Sequence, residues 1–328
     1  MTTGLIYDER FLEHDTGSES PESPDRLRAI VAKLKATHLW GRLHPINFAP
    51  ATDDELLLVH DQAYLNRIEA ACRDGQAFID VPDSAISPVS YDIAKLAAGG
   101  TIAAARAVAT GQVDNAFCAV RPPGHHAERD HSMGFCLFNN VALAAQVLIS
   151  QHGLSRVAIV DFDVHHGNGT QHIFEHVDEV FFASMHEHPA MQYPGTGFSW
   201  EKGKDKGEGH TLNITFDPGQ GDDDMRLRVN EMLIPALEAF RPEMILLSAG
   251  FDASEHDHLG NLNWSAEGFM WLTRQLKSTA ESLCDGKLLS VLEGGYNLQA
   301  LAECVALHVG ILLEPEGQDQ LMAIKAGL

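Results

Sequence analysis

Basic residues are scarce in this chain, and its cysteines form no pair that could bind metal. Lys and Arg total 23 against 46 Asp and Glu, a formal net charge of −23. A sequence-independent grip on DNA or RNA needs a positive field, so no nucleic-acid partner is expected. The acidic field would attract a cationic substrate such as a lysine side chain or a polyamine, although charge of this sign also serves plain solubility. The five cysteines (Cys72, Cys118, Cys136, Cys284 and Cys304) are dispersed, odd in number and without a C-x-x-C. That pattern argues for a reduced compartment and against a disulfide framework or a cysteine zinc site. No apolar run reaches about 18 residues, and the opening MTTGLIYDERF has no basic segment before an apolar stretch. Neither a membrane span nor a signal peptide is expected, and the protein is expected to be cytoplasmic. Internal repeats and linker-like shifts in composition are also missing, so one domain over residues 1–328 is the expectation.

Of the 328 residues, 45% are apolar, enough for a large core. Apolar strand candidates are Leu5–Tyr7, Ala116–Val120, Val157–Asp161, Val180–Met185, Thr211–Thr215, Met244–Ser248 and Leu288–Leu292. Helical patterns lie between most of them, at Asp25–Lys35, Gln62–Cys72, Tyr91–Thr110, Asn140–Gln151, Asp223–Phe240, Ser265–Leu283 and Leu298–Leu312. Such alternation predicts an α/β fold, a mostly parallel sheet with helices on both faces. Pro235 should kink or interrupt its helix, and Gly99-Gly100 should weaken or split the one from Tyr91. Asp8–Pro24, Asp74–Ser90 and Glu187–His210 read as long irregular segments, the kind that form functional rims.

Four polar clusters each follow a strand candidate directly. They are Arg121–His126 (RPPGHH), Asp161–Asn168 (DFDVHHGN), Gly250–Asp252 (GFD) and Glu293–Tyr296 (EGGY). Ligands bind outside the carboxyl ends of strands in an open parallel sheet, so these clusters should converge. Singly, an Asp-x-His is more often a loop hydrogen-bond pair, adjacent histidines usually lie on the surface, and Gly-Gly-Tyr is commonly just a turn. Four such clusters on strand ends are poorly explained that way. Together they fit metal-assisted hydrolysis. Asp163, His165 and Asp252 would supply three ligands and leave a position for water, the pattern of a catalytic rather than a structural zinc. Zinc would acidify that water and polarise a carbonyl. His125 and His126 are both candidates to take the proton. Asp161 could orient one imidazole, and Tyr296, on its Gly-Gly turn, could donate to the developing oxyanion.

These residues lie in motifs that resemble the zinc-dependent histone deacetylases, in the branch of the bacterial histone deacetylase-like amidohydrolases and class II enzymes. The motifs are RPPGHHA (Arg121–Ala127), GFCLFNN (Gly134–Asn140), DFDVHHGNGTQ (Asp161–Gln171), YPGTG (Tyr193–Gly197), SAGFDA (Ser248–Ala253) and LEGGYN (Leu292–Asn297). The resemblance runs from about Tyr7 to Asn297 and implies a single arginase-like domain with an eight-stranded parallel sheet. It implies zinc on Asp163, His165 and Asp252, His126 as general base, His125 as its electrostatic or acid partner, and Tyr296 as the carbonyl-polarising residue. It also implies a structural potassium ion at Asp161 and Ser184 with backbone oxygens of Asp163, His165 and Met185. Phe135 and Tyr193 match the aromatic pair of the acyl-lysine tunnel and Gly134 its floor, whereas Cys136 carries no catalytic role. Asn168 stands where class I members have Asp, which favours class II. Ser20 and His258 depart from the usual His and Pro, and Tyr193 replaces a frequent Phe.

The resemblance thus implies hydrolysis of an acylated lysine or related N-acylated amine. The alternative is an acetylpolyamine amidohydrolase with the same metal core and a different rim. Leu259 stands where polyamine-selective relatives carry a charged gate, which favours acyl-lysine; Glu19 and Glu22, expected to border the mouth, could serve a polyamine instead. Binuclear manganese ureohydrolases need further bridging Asp and His residues, and a silent acyl-lysine reader would have lost some of the metal or proton-transfer groups. Iron or cobalt could also occupy an Asp₂His site. The oligomeric state stays open, a homo-oligomer included.

Overall fold

The protein is described by a computed structural model covering residues 1–315, so the last part of the expected 1–328 domain lies outside the described residues. Its centre is one sheet of eight parallel strands: β1 (Thr3–Ile6), β2 (His44–Pro45), β3 (Asn115–Cys118), β4 (Val157–Asp161), β5 (Val180–Glu187), β6 (Thr211–Phe216), β7 (Met244–Ala249) and β8 (Leu288–Leu292). Their order is β2-β1-β3-β8-β7-β4-β5-β6. Every residue of β1, β3, β4, β5, β7 and β8 is buried. These strands read as continuous apolar runs because helices cover both faces. β2 has no such run. It is two exposed residues at the edge, where Pro45 lacks an N–H that a central strand would need. Sequence patterning alone had therefore yielded seven strands.

The helices are α1 (Pro24–Ala36), α2 (Asp53–Leu56), α3 (Gln62–Arg73), α4 (Ser90–Ala109), α5 (Asn140–His152), α6 (Asn168–Phe174), α7 (Asp222–Arg228), α8 (Ile234–Phe240), α9 (Ala266–Cys284) and α10 (Leu298–Leu312). Period-two alternation assigns them to two layers. Phe117 of β3 meets His308 of α10, with ring centroids 5.8 Å apart, and the next residue, Cys118, lies against Thr101 of α4. α1, α10 and α9 pack together on the first face, and α4 and α5 pack together on the second.

Two irregularities have clear causes. Between α7 and α8 the chain widens into one π-helical turn, Val229–Leu233, just before Pro235. Proline has no N–H for the regular ladder, and the wide turn absorbs the gap. The expected break at Gly99-Gly100, in contrast, does not occur, and α4 runs unbroken. Gly99 is where the 49–51 segment presses on the helix: a Cβ there would lie 2.0 Å from the Ala49 carbonyl oxygen. Contact, not flexibility, calls for that glycine.

Candidate active site

The four polar clusters follow β3, β8, β7 and β4, which are four consecutive neighbours in the sheet. Asp161 at the end of β4 is in register with Ser248 of β7 and Ser184 of β5. The ends of these strands bring the clusters to one place, although more than 170 residues of chain separate the first from the last.

Asp163, His165 and Asp252 are buried with their ligand atoms all within 4.8 Å of one another. His165 Nδ1 lies 3.0 Å from Asp163 Oδ1 and 3.3 Å from Asp252 Oδ2. One N–H cannot serve both, and Asp252 Oδ2 has no hydrogen-bond partner. The other carboxylate oxygens are held by backbone: Val164 N donates to Asp252 Oδ1 at 2.9 Å and Gly294 N to Asp163 Oδ2 at 2.8 Å. Burial, together with the charge of Asp163, pushes the Asp252 carboxyl up to about 7. Two buried carboxylates with an orphaned oxygen between them are short of positive charge. Gly294 keeps the space open, since a Cβ there would lie 2.1 Å from Asp252 Oδ2. The donor set and the room both suit a divalent ion.

The two adjacent histidines are driven apart in charge. Burial disfavours the His125 imidazolium, yet Asp161 and Asp163 outweigh it and hold the ring well above its ordinary value. His125 Nδ1 lies 2.9 Å from Asp161 Oδ2. Burial and the neighbouring His125 and His165 charges hold His126 well below its ordinary value, so it stays neutral. Its tautomer follows from a chain of contacts. Glu128 Oε1 can only accept, so the Asn168 amide nitrogen faces it at 2.6 Å. The Asn168 oxygen therefore faces His126 Nδ1 at 2.7 Å and accepts its proton. His126 Nε2 is left as the acceptor. Neighbouring groups with opposed protonation states are the arrangement an acid and base pair requires.

Tyr296 follows the Gly294-Gly295 turn and stays protonated, because burial pushes its phenol well above its ordinary value. It lines a cavity of about 220 Å³ together with Asp83, His126, Gly134, Phe135, His165, Gln192, Tyr193 and Leu259. Phe135 and Tyr296 meet edge-on with centroids 5.8 Å apart, and Tyr193 meets His126 edge-on at 5.2 Å. Gly134 lies against the His126 ring, where a Cβ would come within 2.2 Å of Cδ2. All of the catalytic and substrate-contacting residues expected from sequence, apart from Asp161 and His125 behind it, border this cavity. Asp161 and Ser184 lie side by side on β4 and β5, with Ser184 Oγ 2.8 Å from His186 Nδ1; Met185 follows in β5.

Some residues were placed wrongly or overlooked by sequence reasoning. Glu22 does not border the mouth. It is fully buried, where its carboxylate takes Arg121 Nε at 2.6 Å and Arg26 Nη1 at 3.1 Å. Those two guanidiniums outweigh the cost of burial and hold Glu22 down at about 2. Glu19 is exposed. Asp83, in the irregular segment after α3, is the carboxylate that does line the mouth, where its charge adds to burial in raising the Tyr193 phenol. Glu293 fixes the histidine loop by accepting from Gly124 N at 2.7 Å and His125 N at 3.1 Å. His125, Cys136 and Glu293 also cluster, but Glu293 is occupied by these donors and burial keeps the Cys136 thiol protonated. Apart from Arg26, four residues after Glu22, these partners are far away in sequence, so no local spacing announced them. The one available signal was that the long irregular segments read as rims: two of them supply Asp83, Gln192 and Tyr193.

Comparison with known proteins gives a consistent picture. The histone deacetylase domain pattern matches residues 20–312. A probable deacetylase of Archaeoglobus fulgidus is 38% identical over 327 residues, covering 96% of this chain and 90% of that protein. A histone deacetylase-like amidohydrolase of Pseudomonas aeruginosa is 40% identical over 280 residues, 85% of this chain and 72% of the relative. The crystal structure of the HDA15 HD domain superimposes with a TM-score of 0.89 at 38% identity, covering 95% of this chain and 89% of that one. With the sheet, the strand-end clusters and these similarities in agreement, the chain belongs to the histone deacetylase family.

Proposed function

We propose that this protein is a zinc-dependent amidohydrolase that removes the acyl group from an acylated lysine or a related N-acylated amine. The observation that carries the reading is the meeting of Asp163, His165 and Asp252 with His126 and Tyr296 at one cavity. A divalent ion held by those three ligands would supply Lewis acidity, polarising the acyl carbonyl and acidifying a water. His126 Nε2 accepts the proton of the attacking water. His125, kept charged by Asp161, stabilises the negative charge gathered around the site and stands ready to protonate the leaving amine. The Tyr296 hydroxyl donates to the oxyanion of the tetrahedral intermediate, a contact whose removal typically costs about 10²–10³ in rate. Phe135 and Tyr193 enclose the apolar stem of the substrate. The same reading gives a structural potassium ion to Asp161, Ser184 and the backbone at Met185.

An acetylated polyamine is the competing substrate, and Asp83 at the mouth is the observation that favours it, since its carboxylate could meet a second ammonium. The burial of Glu22 removes another acid from that argument, and Leu259 offers only apolar contact. Acyl-lysine is therefore preferred. The test compares kcat/KM for acetyl-lysine peptides, longer acyl-lysines, acetylputrescine and acetylspermidine on enzyme of defined metal content, with Asp252→Ala alongside. We expect the peptides to be preferred, and Asp252→Ala to lose bound metal and turnover together. A preference of about a hundredfold for the polyamines would overturn the substrate class. Full, tight metal occupancy in Asp252→Ala would overturn the ligand set.

A further inference from the structure

We infer that Asp257 is a positioning residue whose single carboxylate ties the oxyanion donor Tyr296 to the rim of the acyl cavity. The inference rests on the functional reading above. Tyr296 needs such a tie because it follows two glycines, and Gly295 has φ +121°, a conformation open only to a residue without a side chain. A turn of this kind does not fix the direction of the next residue by itself. Asp257 Oδ2 accepts from the Tyr296 amide at 2.6 Å and from the Asn297 amide at 2.9 Å. These two successive N–H groups close the end of the turn. On the other side, Asp257 Oδ1 accepts from the Leu259 amide at 3.0 Å. The Leu259 carbonyl accepts in turn from Gln192 Nε2 at 2.8 Å. Leu259, Gln192 and Tyr296 all line the cavity.

Both ends of the link are anchored. Asn297 Nδ2 donates to the His256 carbonyl at 2.9 Å, and its Oδ1 caps α10 by accepting from Ala300 N at 3.0 Å. The loop after β7 and the turn after β8 are therefore joined at three points, since Phe251 N also donates to the Gly294 carbonyl at 3.0 Å, and Asp257 supplies the one nearest the tyrosine. A charged acceptor shared by three amides is also stronger than neutral bonds of the same number. The consequence is a coupling. Displacement of Leu259 or Gln192, the residues a substrate meets at the mouth, is passed through one carboxyl group to the peptide that aims the phenol.

The test uses metal-loaded protein labelled with 3-fluorotyrosine. There are five tyrosines, so the fluorine spectrum is simple, and Tyr296→Phe assigns the signal of interest. Asp257→Asn is nearly isosteric but loses one acceptor oxygen and the charge. We expect it to shift or broaden the Tyr296 signal while that of Tyr64, whose hydroxyl bonds the Leu137 carbonyl, stays fixed. Turnover should fall by about tenfold or more with a smaller change in KM, because misaim affects the reacting geometry. Introduced into Tyr296→Phe, Asp257→Asn should cost no further activity. An unmoved Tyr296 signal, or an equal loss of activity in both backgrounds, would overturn the inference. If Asp257→Asn does not fold, Gln192→Ala loosens Leu259 from its carbonyl side and should move the same signal; an unmoved signal there would again overturn it. Failure of the wild-type enzyme to cleave acylated amines would defeat the functional reading alone, because the fluorine signal decides on Asp257 without any substrate.

Discussion

Glu128 touches neither the cavity nor the metal ligands, yet it determines which nitrogen of His126 is free. Its carboxylate holds the Asn168 amide nitrogen at 2.6 Å and the His172 ring at 2.7 Å. In Glu128→Gln the side chain can itself donate, and Asn168 is free to turn its amide nitrogen toward His126. The imidazole would then carry its proton on Nε2, facing the site, and could accept nothing there. We expect kcat to fall by about tenfold or more, within the range general-base catalysis supplies, with metal content unchanged. Unchanged turnover in Glu128→Gln would refute the role. At this scale the sequence was informative wherever the chemistry is local. Asp163 and His165 are two residues apart, His125 and His126 are adjacent, and each pair sits at a strand end. Glu22, Asp83, Glu128 and Asp257 were misplaced or given no role because their meaning lies in partners brought close only by the fold, such as Arg121, 99 residues from Glu22.

Elements with a continuous apolar run were readable, and β4 and β8 have the very bounds the pattern gave. Elements without one were not. The edge pair β2 has no apolar residue to signal it beyond Pro45, and α6, starting at the glycine-flanked Asn168, is absent from the helical patterns of the sequence. Gly99-Gly100 misled for a related reason, since glycine is the same letter whether a helix bends or another chain segment crosses it closely. The two cases make different predictions. A glycine kept for flexibility tolerates alanine, whereas Gly99→Ala must place a methyl group 2.0 Å from the Ala49 oxygen and 2.5 Å from the Ala51 nitrogen. Overpacking against backbone typically costs about 1–3 kcal/mol. We expect Gly99→Ala to lower unfolding stability by at least that much, and Gly41→Ala, with nothing within 4 Å, to leave it almost unchanged. Equal denaturation midpoints for the two variants would contradict this account of α4.

The whole molecule should be sensitive to acid, for reasons away from the metal ligands. Burial lowers His60 to about 4 and His308 to about 3, and both rings accept hydrogen bonds inside the core, His60 Nε2 from the Asn139 amide and His308 Nε2 from the Ser290 hydroxyl. Each is neutral when folded and protonates near 6.5 when unfolded, so the unfolded chain binds more protons below that pH. Stability therefore falls as pH drops from about 6.5 toward 4, by about 2 kcal/mol per such histidine at pH 5. Glu22 acts lower down: its stabilisation is present above about 4.5 and is lost as pH falls toward about 2. Urea unfolding of chelated protein at pH 7 and pH 5 checks this, and equal stability at the two values would contradict it. The strand order has a further consequence, for the order of events during synthesis. Among the described strands β8 is the last to leave the ribosome, yet it lies between β3 and β7 in the middle of the sheet. Until it arrives, the nascent chain can assemble only two separate half-sheets, β2-β1-β3 and β7-β4-β5-β6. The first half carries the histidine pair and the second the three metal ligands. Insertion of β8 is the step that closes the gap between proton acceptor and ligands, and it delivers Tyr296 in the same motion. A translating chain can thus gather its ligands early and remain inert until β8 and Tyr296 have been made.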